Sequence, residues 1–177
     1  MTHHVSLVPP EAFKGITLCY TDTYLTPYGP TFIAARACEI VFWGFCSQPE
    51  AGRLRDALQR KWHNSAWRPS PETVGALADR ACAAPVRLVL AGTPFQHRVW
   101  QKLLDIPLGQ VASYKQLADA LDSAPRAIGG AVGANPVSLL VPCHRVLGTR
   151  KSLNGYRWGL GLKARILTAE GAAFQPA

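Results

Sequence analysis

Residues 113–134 read Ser-Tyr-Lys-Gln-Leu-Ala-Asp-Ala-Leu-Asp-Ser-Ala-Pro-Arg-Ala-Ile-Gly-Gly-Ala-Val-Gly-Ala. Ser113-Tyr114-Lys115-Gln116 is a capping box that opens a helix to about Leu121. Asp122-Ser123-Ala124-Pro125 is a turn, and Arg126–Ala134 is a second helix built of small residues. Two short helices joined by a tight turn make a helix-turn-helix. The second helix is costly: it has three glycines in nine residues, and each costs roughly 1 kcal/mol relative to Ala. Either it packs closely against a neighbouring helix, or its backbone approaches a ligand surface such as a DNA groove. Arg126 lies in the first turn, where the helix dipole disfavours a cation. It either serves a partner or is a solvated surface charge.

Upstream, Thr93-Pro94-Phe95-Gln96 is a further capping box with Pro at the first helical position. Its helix carries Phe95, Val99 and Leu103 on one face and stops near Ile106-Pro107. The first half reads as mixed α and β. Ile16–Tyr20, Thr31–Phe45 and Val86–Ala91 are strand-like, with a turn at Pro27-Tyr28-Gly29-Pro30. Ala51–Trp62 reads as a helix, and Ser70-Pro71-Glu72 starts another. The expected fold is α/β (α+β), in two parts. Residues 1–90 form a small mixed domain with an antiparallel sheet, and residues 91–177 form a mainly helical domain with the helix-turn-helix.

The 177 residues suffice for a hydrophobic core without disulfide staples. With 48% hydrophobic and 17% charged residues, the chain is not a disordered charged tail. No apolar run approaches the ~20 residues of a membrane span, and the N-terminus is not patterned as a secretory signal. The net charge is +8, unevenly placed. Residues 1–90 hold nine basic and seven acidic side chains, whereas residues 91–177 hold ten basic and four acidic. That excess on the helix-turn-helix half suits a polyanion, most simply nucleic acid.

Five cysteines with no Cys-x-x-Cys pair argue against a disulfide framework or zinc ribbon and point to a reducing cytosol. His3, His4, Cys19 and Cys38 make no convincing ligand set, so no metal is expected. Cys19, Cys38, Cys46 and Cys82 read as buried small hydrophobes. Cys143 differs. It closes an apolar run, Val137–Val141, that reads as a buried strand, and it stands between Pro142 and His144-Arg145. A thiol flanked by cationic side chains is expected to have a depressed pKa. Neighbouring side chains on a strand point to opposite faces, so contact between Cys143 and His144 needs a turn or a bridging water. The last helix, Gly161–Glu170, puts Glu170 on one face with Leu162 and Ile166. An inward carboxylate needs a partner, and His144 is the natural one. The result is a Cys–His–Glu relay, unless Glu170 is a solvated helix end.

The ordered set Gly92-Thr93-Pro94-Phe95-Gln96, Val99-Trp100, Ile106-Pro107, Ser113-Tyr114, Arg126-Ala127-Ile128-Gly129, Asn135-Pro136, Pro142-Cys143-His144-Arg145-Val146, Gly155-Tyr156 and Glu170-Gly171 resembles the O6-alkylguanine-DNA alkyltransferases, or methylated-DNA–protein-cysteine methyltransferases. The resemblance covers most of residues 92–171. It implies cofactor-free, single-use repair of double-stranded DNA containing O6-alkylguanine, with O4-alkylthymine a second candidate substrate. By resemblance, Cys143 takes the alkyl group, His144 accepts its proton through water, and Glu170 orients His144. Asn135 steadies the turn carrying the cysteine, and Tyr114 protonates the departing guanine. Arg126 fills the place of a base flipped from the minor groove. Also by resemblance, Gln96, Tyr114, Lys115, Ala127 and Thr149 meet the DNA, while Val146, Tyr156, Arg157 and Trp158 form the substrate pocket. A monomer in a bacterial-type cytoplasm is implied.

Two departures stand out. The turn before Arg126 is about two residues shorter than the family's Gly-x-Pro-x-Ala-x-Arg. Thr149-Arg150-Lys151-Ser152 fills a loop that often carries glycines; it would border the alkyl pocket, or put two extra charges on phosphate. A non-catalytic binder of alkylated DNA on the same fold is the alternative, although relatives of that kind replace the cysteine. A Cys–His hydrolase leaves the glycine-rich helix unexplained, and a helix-turn-helix regulator leaves Pro-Cys-His-Arg without purpose.

Overall fold

A computed structural model describes residues 3–175, which fall into two compact units, one ending at Thr93 and the other beginning at Pro94. The first unit is built on β1 (His4–Val8), β2 (Thr17–Thr26), β3 (Gly29–Arg36) and β4 (Glu39–Phe45), then α1 (Gln48–Lys61), β5 (Ala66–Pro69), α2 (Pro71–Ala83) and β6 (Arg87–Ala91). Its six strands run in the order β1-β6-β4-β3-β2-β5. The antiparallel arrangement expected from the sequence holds for β2-β3-β4. The flanking pairs β1–β6, β4–β6 and β2–β5 are parallel. The cause is connectivity: β5 and β6 each follow a helix, and a helical crossover returns the chain in the same direction. Phe32, Ile33, Ile40, Trp43, Leu88 and Leu90 are completely buried in the core.

Several boundaries move from the sequence reading. The run Thr31–Phe45 is two strands, because Ala37 turns the chain at φ 52°. The first helix starts three residues early, where Glu50 accepts the Ser47 N–H at 2.8 Å. The edge strands β1 and β5, only five and four residues long, were not expected from the sequence. The cysteine expectation also fails. Cys38 and Cys82 are exposed, and Cys19 and Cys46 are partly so; only Cys143 is buried. Cys38 sits in the hairpin turn between β3 and β4 and Cys82 is exposed on α2, so local apolar neighbours did not report tertiary burial. Among the described residues no three His, Cys, Asp or Glu side chains gather as metal ligands.

The second unit contains α3 (Pro94–Leu104), β7 (Ala112–Ser113), α4 (Tyr114–Ala120), α5 (Pro125–Gly133), β8 (Val146–Leu147) and α6 (Leu160–Ala169). The capping box at the start of α4 is complete. Gln116 N–H donates to Ser113 Oγ at 3.0 Å, and Ser113 N–H donates to Gln116 Oε1 at 2.7 Å. The turn between α4 and α5 stays short because Asp122 adopts φ 48° and Ser123 N–H returns to Ala118 O at 2.9 Å. Pro125 then opens α5, placing Arg126 in its first turn. The α3 residue Trp100, itself buried, donates Nε1–H to Ala131 O at 2.9 Å and holds α5 in place. Parallel pairing of β7 with β8 brings Ser113-Tyr114 beside the segment just after Cys143.

Candidate active site

The segment expected to be a strand, Val137–Val141, is instead a closed turn. Val141 N–H bonds Val137 O at 3.0 Å, and Leu139 sits at φ 72°. A left-handed leucine costs on the order of 1–3 kcal/mol, and the buried Asn135 side chain holds it there. Its Nδ2 donates to Val141 O at 2.9 Å, and its Oδ1 accepts from Val137 N–H at 3.1 Å. These two bonds from Asn135 close the turn that leads to Cys143. The chain leaves the turn through Pro142 into one 3-10 turn, Cys143–Arg145. That turn, rather than a strand, sets the relative directions of Cys143 and His144.

Behind it lies a His144–Glu170 pair. His144 is fully buried, and its Nε2 meets Glu170 Oε1 at 3.0 Å. The carboxylate can only accept, so Nε2 carries the proton and Nδ1 is left as acceptor. Among the described residues, Nδ1 is buried with no hydrogen-bond partner. Burial lowers the His144 pKa against the pull of Glu170, so the imidazole is neutral. Burial alone would raise the Glu170 carboxyl, but hydrogen bonds from His144 and Arg145 outweigh it and hold the group at about 2. Arg145 was not foreseen. It donates Nε–H and an Nη2–H to Glu170 at 2.9 and 2.8 Å, and Nη1–H to Ile106 O at 2.6 Å. Gly171 ends α6 at φ 69°, which fixes Glu170 at the helix end.

Cys143 opens into a cavity of about 310 Å³. Its walls include Tyr114, the α5 residues Gly129, Val132 and Gly133, Asn135 and Ser138, and Tyr156, Arg157 and Trp158. The sequence expectation of a depressed thiol pKa fails for this structure: burial pushes the Cys143 thiol up, outweighing Asn135, Lys163 and Ser138. Sequence neighbours could not report this, because Arg145 faces Glu170 and His144 is neutral. Burial, and then the nearby Cys143, raise the Tyr114 phenol, keeping it a proton donor.

The expected pocket and DNA-facing residues divide clearly. Tyr114, Tyr156, Arg157 and Trp158 line the cavity. Val146 does not; it is wholly buried, and only its carbonyl acts, accepting from Lys163 Nζ at 2.6 Å. Thr149 does not border the cavity either. With Arg150 and Lys151 it lines a separate groove beside Ser113, Lys115 and Gln116, because the paired β7 and β8 turn the loop away. Arg126 and Ala127 are exposed on α5, and no hydrogen bond or ion pair engages Arg126 among the described residues. Lys115 is exposed and paired with Asp119 at 2.9 Å, and Gln96 is half-buried on α3.

The glycines now have a distinct geometry. A Cβ at Gly129 would lie 3.9 Å from the Tyr114 ring, an ordinary contact, while Cβ atoms at Gly130 and Gly133 would meet nothing within 4 Å. Internal packing does not require glycine at these two positions. Lys163, also unforeseen, is completely buried on α6. It donates to Val146 O, Asn154 O and Gly155 O at 2.6, 2.8 and 3.1 Å, which clamps the loop forming the far cavity wall. Its spacing to Ile166, Leu167 and Glu170 (i, i+3, i+4, i+7) marks it as inward-facing.

The second helix of the helix-turn-helix thus presents its glycine face as one wall of a pocket over a buried cysteine. Comparison with known proteins gives the family. Residues 94–172 match the family described as 6-O-methylguanine DNA methyltransferase, DNA binding domain. The methylated-DNA–protein-cysteine methyltransferase of Salmonella typhimurium is 42% identical over 164 residues, 82% of this chain and 92% of that protein. The protein of that name from Candida albicans is 49% identical over 83 residues, and the alignment spans 47% of each chain. The chain thus spans less than half the length of the first curated relatives it matches. The crystal structure of Mycobacterium tuberculosis O6-methylguanine methyltransferase is 32% identical, with a TM-score of 0.69 over 87% of this chain and 93% of that one. A structure of the Mycobacterium tuberculosis protein in complex with DNA is 31% identical, with a TM-score of 0.68. The chain belongs to the methylated-DNA–protein-cysteine methyltransferase family.

Proposed function

We propose that the protein repairs double-stranded DNA by transferring the alkyl group of O6-alkylguanine to its own Cys143, once per molecule. The observation that carries this reading is the placement of Cys143 in a roughly 310 Å³ cavity walled by α5, with the His144–Glu170 pair behind it. A base stacked in a duplex cannot reach such a cavity, so the alkylated nucleotide must be flipped out. Arg126, exposed and unengaged at the start of α5, fills the gap, and Gly130 and Gly133 leave room for a groove to approach. Lys115, Thr149 and the charges beside them hold phosphate, and Gln96 and Ala127 complete the contact surface.

In the transfer, His144 Nδ1 takes the thiol proton through a water. The sulfur attacks the alkyl carbon, a C–S bond forms, and the C–O6 bond breaks. Tyr114 gives its phenolic proton to the departing guanine and recovers it from His144, so the thiol proton ends on the base. Every group used lies in one chain, in keeping with a monomer. All five cysteines are free thiols, which suits a reducing cytoplasm. O4-alkylthymine presents the same alkyl–oxygen bond and is the second substrate in this reading.

The test is an intact mass after mixing with duplex DNA containing O6-methylguanine, with Cys143→Ala as control. One methyl per molecule, mapped to Cys143 and absent from the control, is expected. No adduct, or turnover beyond one equivalent, overturns the reading.

A further inference from the structure

Ser138 has no part in the mechanism just given, yet it occupies a demanding position. It is 1% exposed, lies in the closed turn that ends at Cys143, and lines the cavity beside that thiol. Its hydroxyl oxygen accepts the Trp158 indole N–H at 2.6 Å. The indole is itself covered by the Arg157 guanidinium, 4.7 Å from the ring centre. An indole N–H can only donate, so this bond occupies the oxygen's lone-pair side and directs the hydroxyl hydrogen elsewhere.

We propose that Ser138 is a catalytic hydrogen-bond donor to the Cys143 sulfur, its hydroxyl aimed by Trp158. The inference rests on alkyl transfer to Cys143 and specifies how the thiolate is held while it reacts. Hydrogen bonding from Ser138, like that from Asn135, favours the charged form of this sulfur, and Tyr156 is a further hydrogen-bonding neighbour of it. Donation to an ionised acceptor is roughly twice as strong as to a neutral one. The Ser138 bond therefore strengthens when the thiol loses its proton and weakens as the C–S bond forms, because a thioether is a poor acceptor. The Trp158 bond polarises the hydroxyl and reinforces its donation. Trp158 acts through Ser138 and is a positioning residue.

The test is the pH dependence of Cys143 carbamidomethylation by iodoacetamide, read by peptide mass in the full chain. It is paired with single-turnover methyl transfer from an O6-methylguanine duplex. The charged and titratable groups around the sulfur are Lys163 from α6, Tyr114 from α4, Tyr156 and Arg157 from the loop before α6, and the adjacent His144 with Glu170. Ser138→Ala and Trp158→Phe leave all of them in place. Both variants are expected to move the midpoint of Cys143 reactivity to higher pH. Ser138→Ala should slow methyl transfer about tenfold at neutral pH, the scale of one hydrogen bond to a charged group. Ser138→Thr, which keeps the hydroxyl, should restore the midpoint. Adding Trp158→Phe to Ser138→Ala should move it no further, since both remove the same donor. An unchanged midpoint in either single variant, or additive shifts in the double, overturns the proposal, and a rate loss without a midpoint shift marks Ser138 as merely structural. The iodoacetamide arm reads the thiol directly, so it stands apart from whether the wild type accepts a methyl group.

Discussion

His144 gives its Nε2 proton to Glu170 Oε1 at 3.0 Å, which commits the imidazole's one lone pair to Nδ1, on the other side of the ring. Glu170 can hold that tautomer because Arg145 grips both of its oxygens. Held at about 2, the carboxylate is ionised at neutral pH, so in the proposed transfer it orients the imidazole and carries no proton.

Replacing Glu170 with Gln allows the amide to donate as well as accept, so the wrong tautomer becomes available. Single-turnover methyl transfer should fall about 100-fold, the lower range for a misdirected general base. The same substitution has a pH signature. The folded pKa of about 2 lies below the unfolded value of roughly 4.3, so Glu170 contributes stability above the unfolded value. That contribution is lost as pH falls toward 2. Thermal melts between pH 5 and 3 should show a steeper decline in the wild type than in Glu170→Gln, and parallel declines would contradict the assignment.

Gly130 separates stability from DNA binding. A methyl there meets no protein atom, and Ala is worth about 1 kcal/mol over Gly in a helix. Gly130→Ala should therefore raise the melting temperature of the free protein while weakening its affinity for duplex DNA. Arg126→Ala should leave the melt unchanged, slow repair of duplex substrate, and spare transfer from free O6-benzylguanine. If Gly130→Ala binds DNA as tightly as wild type, the open face of α5 is not the approach surface.

Lys163 is a structural charge whose loss should be severe. Lys163→Met strands three backbone carbonyls, each costing about 1–3 kcal/mol when buried without a donor. Urea denaturation should show a loss of at least about 3 kcal/mol. A smaller loss would mean that the loop relaxes and the carbonyls reach water.

The five thiols should react in order of access rather than of function. Iodoacetamide at neutral pH should modify Cys38 and Cys82 first and Cys143 last, since Cys143 is 5% exposed and burial raises its pKa. Timed peptide mapping reads this order directly, and early labelling of Cys143 would show that the resting site already holds a thiolate.

Much of this was legible in the chain because the signals were local. Ser113 and Gln116 cap α4 as their spacing implied, Pro71 and Pro94 mark helix starts, and Glu170 reaches His144 from the expected helix. What escaped depends on contacts distant in sequence or on competition between signals. Val137–Val141 has the composition of a strand, but the single side chain of Asn135 satisfies its backbone and closes it into a turn. Lys163 finds its carbonyls 8, 9 and 17 residues away. Ser138 gains meaning only when Trp158, 20 residues on, bends back to it. The direction of the Cys143 shift was misread because burial dominates it, while Arg145 is spent on Glu170 and His144 is neutral.

Burial of Cys143 also confers a long shelf life on the molecule. In the proposed single-use transfer, the sulfur gains nothing from being reactive while it waits. Stored as a buried, protonated thiol, it is shielded from stray electrophiles and oxidants, which meet the exposed Cys38 and Cys82 first. The fold thus separates readiness from reactivity, and an intact molecule remains available until its substrate arrives.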